Sequence, residues 1–172
     1  AFPGLLGRPA ELDDAEMQAF TDFVMTLRYP PNPVKALDDV ATPEQAAGLF
    51  QFTVPPSDGA PCAVCHALPF GGGGLSTREG AETQDFKVPH VRNAYAKVGM
   101  FGIADGFFGI PPTPFQGDQI RGFGFLHDGS ISSLFNFIQP FVFPSDVERR
   151  QVEAFVFAID TGLKPIVGQQ LT

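Results

Sequence analysis

Residues 61–68 read "PCAVCHAL" and hold both cysteines of the chain, Cys62 and Cys65, followed at once by His66. Two thiols three positions apart followed by an imidazole form Cys-x-x-Cys-His, the attachment pattern of a c-type haem. Thiols at this spacing add to the two vinyl groups on one side of a porphyrin. The next residue then offers its imidazole to the iron. Ala63 and Val64 between the cysteines are small enough to lie along a haem edge. With both thiols used, no third cysteine is needed, and none exists.

Two other chemistries use cysteine pairs. A thioredoxin-like redox pair sits where a strand meets a helix in a βαβ unit, whereas this motif follows a helical pattern in a chain without βαβ periodicity. A structural zinc site takes four ligands, usually a second Cys or His pair at matching spacing. The remaining histidines, His90 and His127, are far apart in sequence. One covalently attached haem c is therefore the expected cofactor, with His66 as proximal ligand. Haem attachment of this kind implies export, to the periplasm or beyond the cell.

Composition narrows the class. A length of 172 residues suits one domain with an appendage. Nineteen glycines and 17 prolines predict a loop-rich fold, and 19 phenylalanines without a tryptophan suit a core that also covers a large flat apolar group. A net charge of −8 repels nucleic acid and anionic lipid. No apolar run reaches the length of a membrane span. The start "AFPG" lacks an initiator Met and reads as processed or truncated, while "PIVGQQLT" at residues 165–172 stops without a clear ending.

The periodicity is helical. "AELDDAEMQAFTDFVMTLRYPPNPV" (residues 10–34) predicts an amphipathic helix with Asp13 and Asp14 in its first turn, ended by "YPPNP". In "ATPEQAAGLFQF" (residues 41–52), Thr42 is the expected N-cap, Pro43 opens the helix and Gln45 completes a capping box. "SDVERRQVEAFVFAID" (residues 145–160) predicts the last helix. Ser145 and Glu148 are its expected capping box, and Val147, Val152, Phe155, Val156 and Ile159 its apolar stripe. Short helices are expected within "VPHVRNAYAKV" and "SISSLFNFIQ". The stretch between Gly71 and Gly124 reads mostly as loop, long enough to need an organising cofactor. Phe50 and Phe155 are the expected aromatic contact between the helix before the motif and the last helix. The class is mainly α: a cytochrome c-like helical domain over residues 37–172 with long haem-wrapping loops, preceded by a helical arm and proline-rich linker over residues 1–36.

The second axial ligand decides the function. A Met ligand gives a closed, high-potential carrier, a second His generally lowers the potential, and an open position admits peroxide or small molecules. Met17 and Met25 fall on the first helix as packing residues. Met100, in "KVGMFG" (residues 97–102), lies in the long loop after the motif and is the expected distal ligand, with His90 second. Arg92 and Arg121 are candidates for the haem propionates, because a guanidinium fork matches carboxylates.

"FKVPHVRNAY" (residues 86–95) followed by "GFLHDGSISSLFNF" (residues 124–137) resembles the C-terminal haem domain of the bacterial di-haem cytochrome c peroxidases. That family carries "K-V-P-x-L-R-N", then "P-Y-x-H-D-G" and "T-L", and the resemblance covers roughly residues 42–160. It implies a haem domain in which His127 is the pocket histidine, set to order its loop through Asp128 and Gly129. The chain departs from the family in three ways. Residues 96–125 separate Arg92-Asn93 from His127-Asp128-Gly129, only one haem motif is present, and "LFNFIQPFVF" (residues 134–143) lacks the family's Met. The expected function is therefore single-electron transfer by a mono-haem c-type cytochrome with His66 and Met100 as axial ligands. A peroxidase-like haem domain of a multi-haem enzyme, or a building block of a larger cytochrome assembly, is the alternative. Redox proteins, other haem proteins or subunits of a larger complex are the expected partners.

Overall fold

A computed structural model of the chain describes residues 2–54, 59–69, 71–78, 84–99, 122–127, 129, 131–138 and 143–165. Among these, helix dominates and strand is confined to one short hairpin, in line with a mainly α class. The elements are α1 (Phe2–Leu6), α2 (Asp14–Thr26), α3 (Pro43–Thr53), α4 (Cys62–Cys65), β1 (Ser76–Thr77), β2 (Phe86–Lys87), a 3-10 turn (Ala94–Lys97), α5 (Leu134–Phe137) and α6 (Asp146–Phe157).

The centre of the fold is the packing of α3 against α6. Helix α3 starts as its sequence predicts. Thr42 accepts from the Gln45 backbone N–H at 3.2 Å, and the Gln45 side chain accepts from the Thr42 N–H at 2.9 Å. Gln45, Gly48 and Phe52 form its buried face. Gly48 is where the two helices come closest: a Cβ built there would lie 1.9 Å from the Gln151 carbonyl oxygen. Only glycine allows that approach. One turn on, Phe52 is 2% exposed and its ring meets Phe155 with centroids 5.2 Å apart. The aromatic contact exists, but Phe52 makes it. Phe50 points outward and is 61% exposed, because it lies half a turn from the buried line of Gly48 and Phe52.

Helix α6 buries Val152 and Val156, followed by Ile159 just past its end. Val147 in the first turn is exposed, so the apolar stripe begins later than its spacing suggests. The expected capping box does not form either: Ser145 is the N-cap residue but its side chain makes no capping bond. Arg149 takes the inner position in that turn. It is 7% exposed and donates to Ile138 O and Phe135 O at 2.7 Å each and to Asp146 Oδ1 at 2.8 Å. With a carboxylate and two carbonyls around it, the buried guanidinium is satisfied, and it ties α5 to α6. Glu153 adds a second tie by accepting from the Phe135 N–H at 3.0 Å. Leu134, Ile138, Phe143 and Ala94 complete the core cluster, against which Cys62 and Ala63 pack.

Helix α2 forms within the expected stretch, but Asp13, expected in its first turn, is instead its N-cap in a reciprocal box with Glu16, and the helix buries no residue. The proline-rich segment behind it is pinned. Asn32 is 1% exposed and donates to Phe157 O and Ile159 O at 2.8 and 2.9 Å, satisfying carbonyls at the end of α6. Lys35 follows with ion pairs to Asp39 and, at 3.3 Å, to Asp160. No helix among the described residues is long and apolar enough to cross a membrane.

Candidate functional site

Cys62 and Cys65 form the ends of the one-turn helix α4, which Pro61 precedes and His66 closes through its backbone N–H to Cys62 O at 2.8 Å. A turn of this kind puts residues i and i+3 on one side. Neither thiol is in a disulfide, and both are half-buried. Burial pushes the Cys62 thiol above its ordinary pKa, with a smaller push from Cys65, so it stays protonated near neutral pH. Val64, at the outside of the turn, is 55% exposed.

The His66 ring is held from behind by two carbonyls. Its Nδ1 lies 2.9 Å from Pro89 O and 3.1 Å from Gly71 O. Carbonyl oxygens only accept, so Nδ1 carries the proton and Nε2 presents its lone pair. No hydrogen bond occupies Nε2 among the described residues. Phe52 flanks the ring, with centroids 6.5 Å apart, and so links the α3–α6 core to the imidazole.

Both carbonyls are delivered by local structure that the sequence read as loop. After His66 the chain turns, with Gly71 and Gly72 N–H donating to Ala67 O at 2.7 and 3.2 Å. Gly71 has a φ of 69° and lies against Val91, where a Cβ would come within 2.1 Å of Val91 Cγ2. The hairpin pairs Ser76 with Lys87 and Thr77 with Phe86, and Val88 N–H extends it to Leu75 O at 2.8 Å. Val88 is 5% exposed. Anchored there, the next residue, Pro89, points its carbonyl at His66.

Of the other expected site residues, His90 lies in the same backing segment. Its Nε2 is hydrogen-bonded to the Tyr29 phenol, and its Nδ1 is buried without a hydrogen bond among the described residues. Burial holds its pKa down, helped by Arg92, Lys97 and Lys87. The Arg92 guanidinium lies 5.0 Å from the centroid of the Tyr29 ring, close enough for a cation–π contact. His127 stacks on Phe86 with centroids 4.5 Å apart and rings inclined by 20°. Met100, Arg121 and Asp128 lie outside the described residues. The structure thus sets Cys62, Cys65 and His66 on one turn and places His90 next to the Pro89 carbonyl that backs His66, whereas Arg92 lies against Tyr29.

Sequence reasoning missed Gly71, Pro89, Phe52 and Tyr29 as parts of this arrangement. Phe52 could have been found from its spacing to Gly48. Tyr29, 61 positions from His90, carries no local signal. Among the described residues, no set of three or more His, Cys, Asp or Glu side chains converges as a metal cluster, the two thiols and His66 included. Comparison with protein-family models, with curated proteins and with solved structures found no match for this chain.

Proposed function

We propose that this chain is a mono-haem c-type cytochrome domain that passes single electrons outside the cytoplasm, with one haem held by Cys62 and Cys65 and ligated by His66. One observation carries the reading: two unbridged thiols on a single helical turn, followed by an imidazole whose Nδ1–H is taken up by Gly71 and Pro89 carbonyls. That arrangement fixes the tautomer in which Nε2 is the donor, the form a metal needs.

Two further features fit a haem. Val64, between the two cysteines, stands 55% exposed, and a flat apolar group beside the turn would cover it. The α3–α6 packing, closed by Gly48 and the Phe52–Phe155 pair, also suits the helix contact that c-type cytochromes make between the segment before the motif and the last helix.

When bound, the haem supplies a one-electron couple whose potential follows its axial ligands, burial and hydrogen bonding. The chain's own residues do the rest. The two cysteines would hold the ring and His66 would donate to the metal, while Pro89 and Gly71 hold the imidazole in orientation. Met100 is the proposed sixth ligand, and Arg92 and Arg121 are proposed for the propionates. The acidic surface favours partners with a basic docking patch and salt-sensitive association. The resemblance to the C-terminal domain of di-haem peroxidases supports the second reading, a haem domain working beside another haem.

The deciding experiment is expression in a periplasmic haem-attachment system, followed by intact mass and the alkaline pyridine spectrum. A mass gain of one haem and a c-type band are expected, and a haem-free product with free thiols overturns the proposal. Adding carbon monoxide or peroxide to the holo-protein then separates the readings: an unchanged spectrum supports the closed carrier, and ready binding supports the peroxidase-like domain.

A further inference from the structure

Tyr29 enters the sequence only as the first residue of the proline-rich helix stop. In the structure its phenol oxygen lies 2.5 Å from His90 Nε2, and the two rings meet edge-on with centroids 5.1 Å apart. Its own position is set three residues later, where buried Asn32 is bonded to the end of α6. On the other side, the peptide joining Pro89 to His90 carries the carbonyl that accepts from His66 Nδ1. A single short path therefore runs from the end of α6 through Asn32, Tyr29, His90 and the Pro89 carbonyl to the axial imidazole.

The orientation of a carbonyl is the orientation of its peptide plane. Proline locks its own φ, and Val88, 5% exposed, anchors the chain before it. The rotations left to the Pro89–His90 peptide are ψ of Pro89 and φ of His90. Tethering the His90 ring at Nε2 restricts both.

We infer that Tyr29 is a positioning residue for the axial histidine: its bond to His90 holds the Pro89–His90 peptide so that the Pro89 carbonyl stays on His66 Nδ1. The inference rests on the haem reading proposed above. A carbonyl on Nδ1–H makes Nε2 a stronger donor. A stronger donor favours the oxidised metal and lowers the reduction potential. Loss of the Tyr29 hydroxyl must therefore raise the potential.

The test uses the holo-protein in wild-type, Tyr29→Phe and Lys35→Ala forms. Lys35 ties the same segment to Asp160 without touching His90, so its variant loosens the segment alone. Three quantities are read: covalent haem content, midpoint potential, and exchange of the His66 Nδ1 proton in the reduced protein by NMR. Tyr29→Phe is expected to keep its haem, to exchange that proton faster, and to shift the redox equilibrium about threefold toward reduction, which is roughly 30 mV upward for one electron. Lys35→Ala is expected to lower the melting temperature while leaving potential and exchange unmoved. If Tyr29→Phe fails to fold, His90→Phe removes the same bond and must give the same upward shift. Haem-loaded variants with wild-type potential and exchange overturn the inference, as does an equal shift in Lys35→Ala. A wild-type chain that takes up no haem removes the reading beneath it, a result visible before any potential is measured.

Discussion

Helices α2 and α3 begin with the same device and end in opposite surroundings. Each opens on a reciprocal box, Asp13 with Glu16 and Thr42 with Gln45, and each carries an apolar stripe. Helix α3 buries Gln45, Gly48 and Phe52 against α6, whereas α2 buries nothing and leaves Phe23 at 60% and Met25 at 70% exposure. Local signals start both helices equally well, because caps and stripes act within one or two turns. What separates them is shape complementarity: Gly48 lets one backbone reach another, and α2 has no counterpart to it.

Substitutions can break that contrast, beginning with the harshest. Gly48→Val sets side-chain atoms where the Gln151 carbonyl lies, so the chain should lose several kcal/mol, on the order of 3 or more, in denaturant unfolding. Phe23→Ser on α2 should change the same measurement by less than about 0.5 kcal/mol. An equal effect at the two positions would mean that α2 is packed in solution.

Phe52→Ala comes next. Removing a ring that touches both Phe155 and His66 should cost about 3–5 kcal/mol, and under the proposed haem reading it should also disturb the spectrum of the haem-loaded chain. Asn32→Ala leaves two carbonyls at the end of α6 without their donor, at roughly 1–3 kcal/mol. That loss would show that the proline-rich segment belongs energetically with α6 and not with the arm. The caps give a finer comparison. Thr42→Ala should cost about 1 kcal/mol of global stability, while Asp13→Ala should fray α2 in hydrogen exchange without moving the main unfolding transition.

The smallest effect is one of pH. Asp160 is held below its ordinary carboxylate pKa of 3.8, first by the Gly162 backbone N–H, which burial opposes, and then by Lys35. A depressed folded value means the unfolded chain binds the proton more readily. The stabilisation is therefore complete above 3.8 and is lost as pH falls through the lower folded value. The melting temperatures of wild type and Asp160→Asn should differ by a constant amount at neutral and mildly acidic pH, then converge as the pH is taken below 3.8. A gap that persists in strong acid would assign the effect to something other than this carboxylate.

Much of the helical framework was legible along the chain. The Thr42–Pro43–Gln45 start of α3 was read residue by residue, since a cap is a contact between neighbours. Helix α6 was half legible: Val152, Val156 and Ile159 obeyed their spacing, but at its start Ser145 did not cap and Val147 did not bury. Arg149 explains the difference, because its two carbonyl partners come from Phe135 and Ile138, on another element. Phe50 was expected where Phe52 stands, since both are aromatic residues on one short helix and only the position of α6 tells them apart.

The sequence by itself determined the chemistry available at residues 62–66, because spacing along a covalent chain sets which groups share a turn. It also determined where α2 and α3 begin, through capping boxes and, in α3, a proline acting on their immediate neighbours. Only the tertiary structure decided which nitrogen of His66 carries the proton and which keeps its lone pair. That choice depends on carbonyls of Gly71 and Pro89, and in turn on a hairpin, a buried valine and a tyrosine 37 residues upstream of His66. Such contacts come from distant parts of the chain, where composition and periodicity carry no information about which atoms will meet.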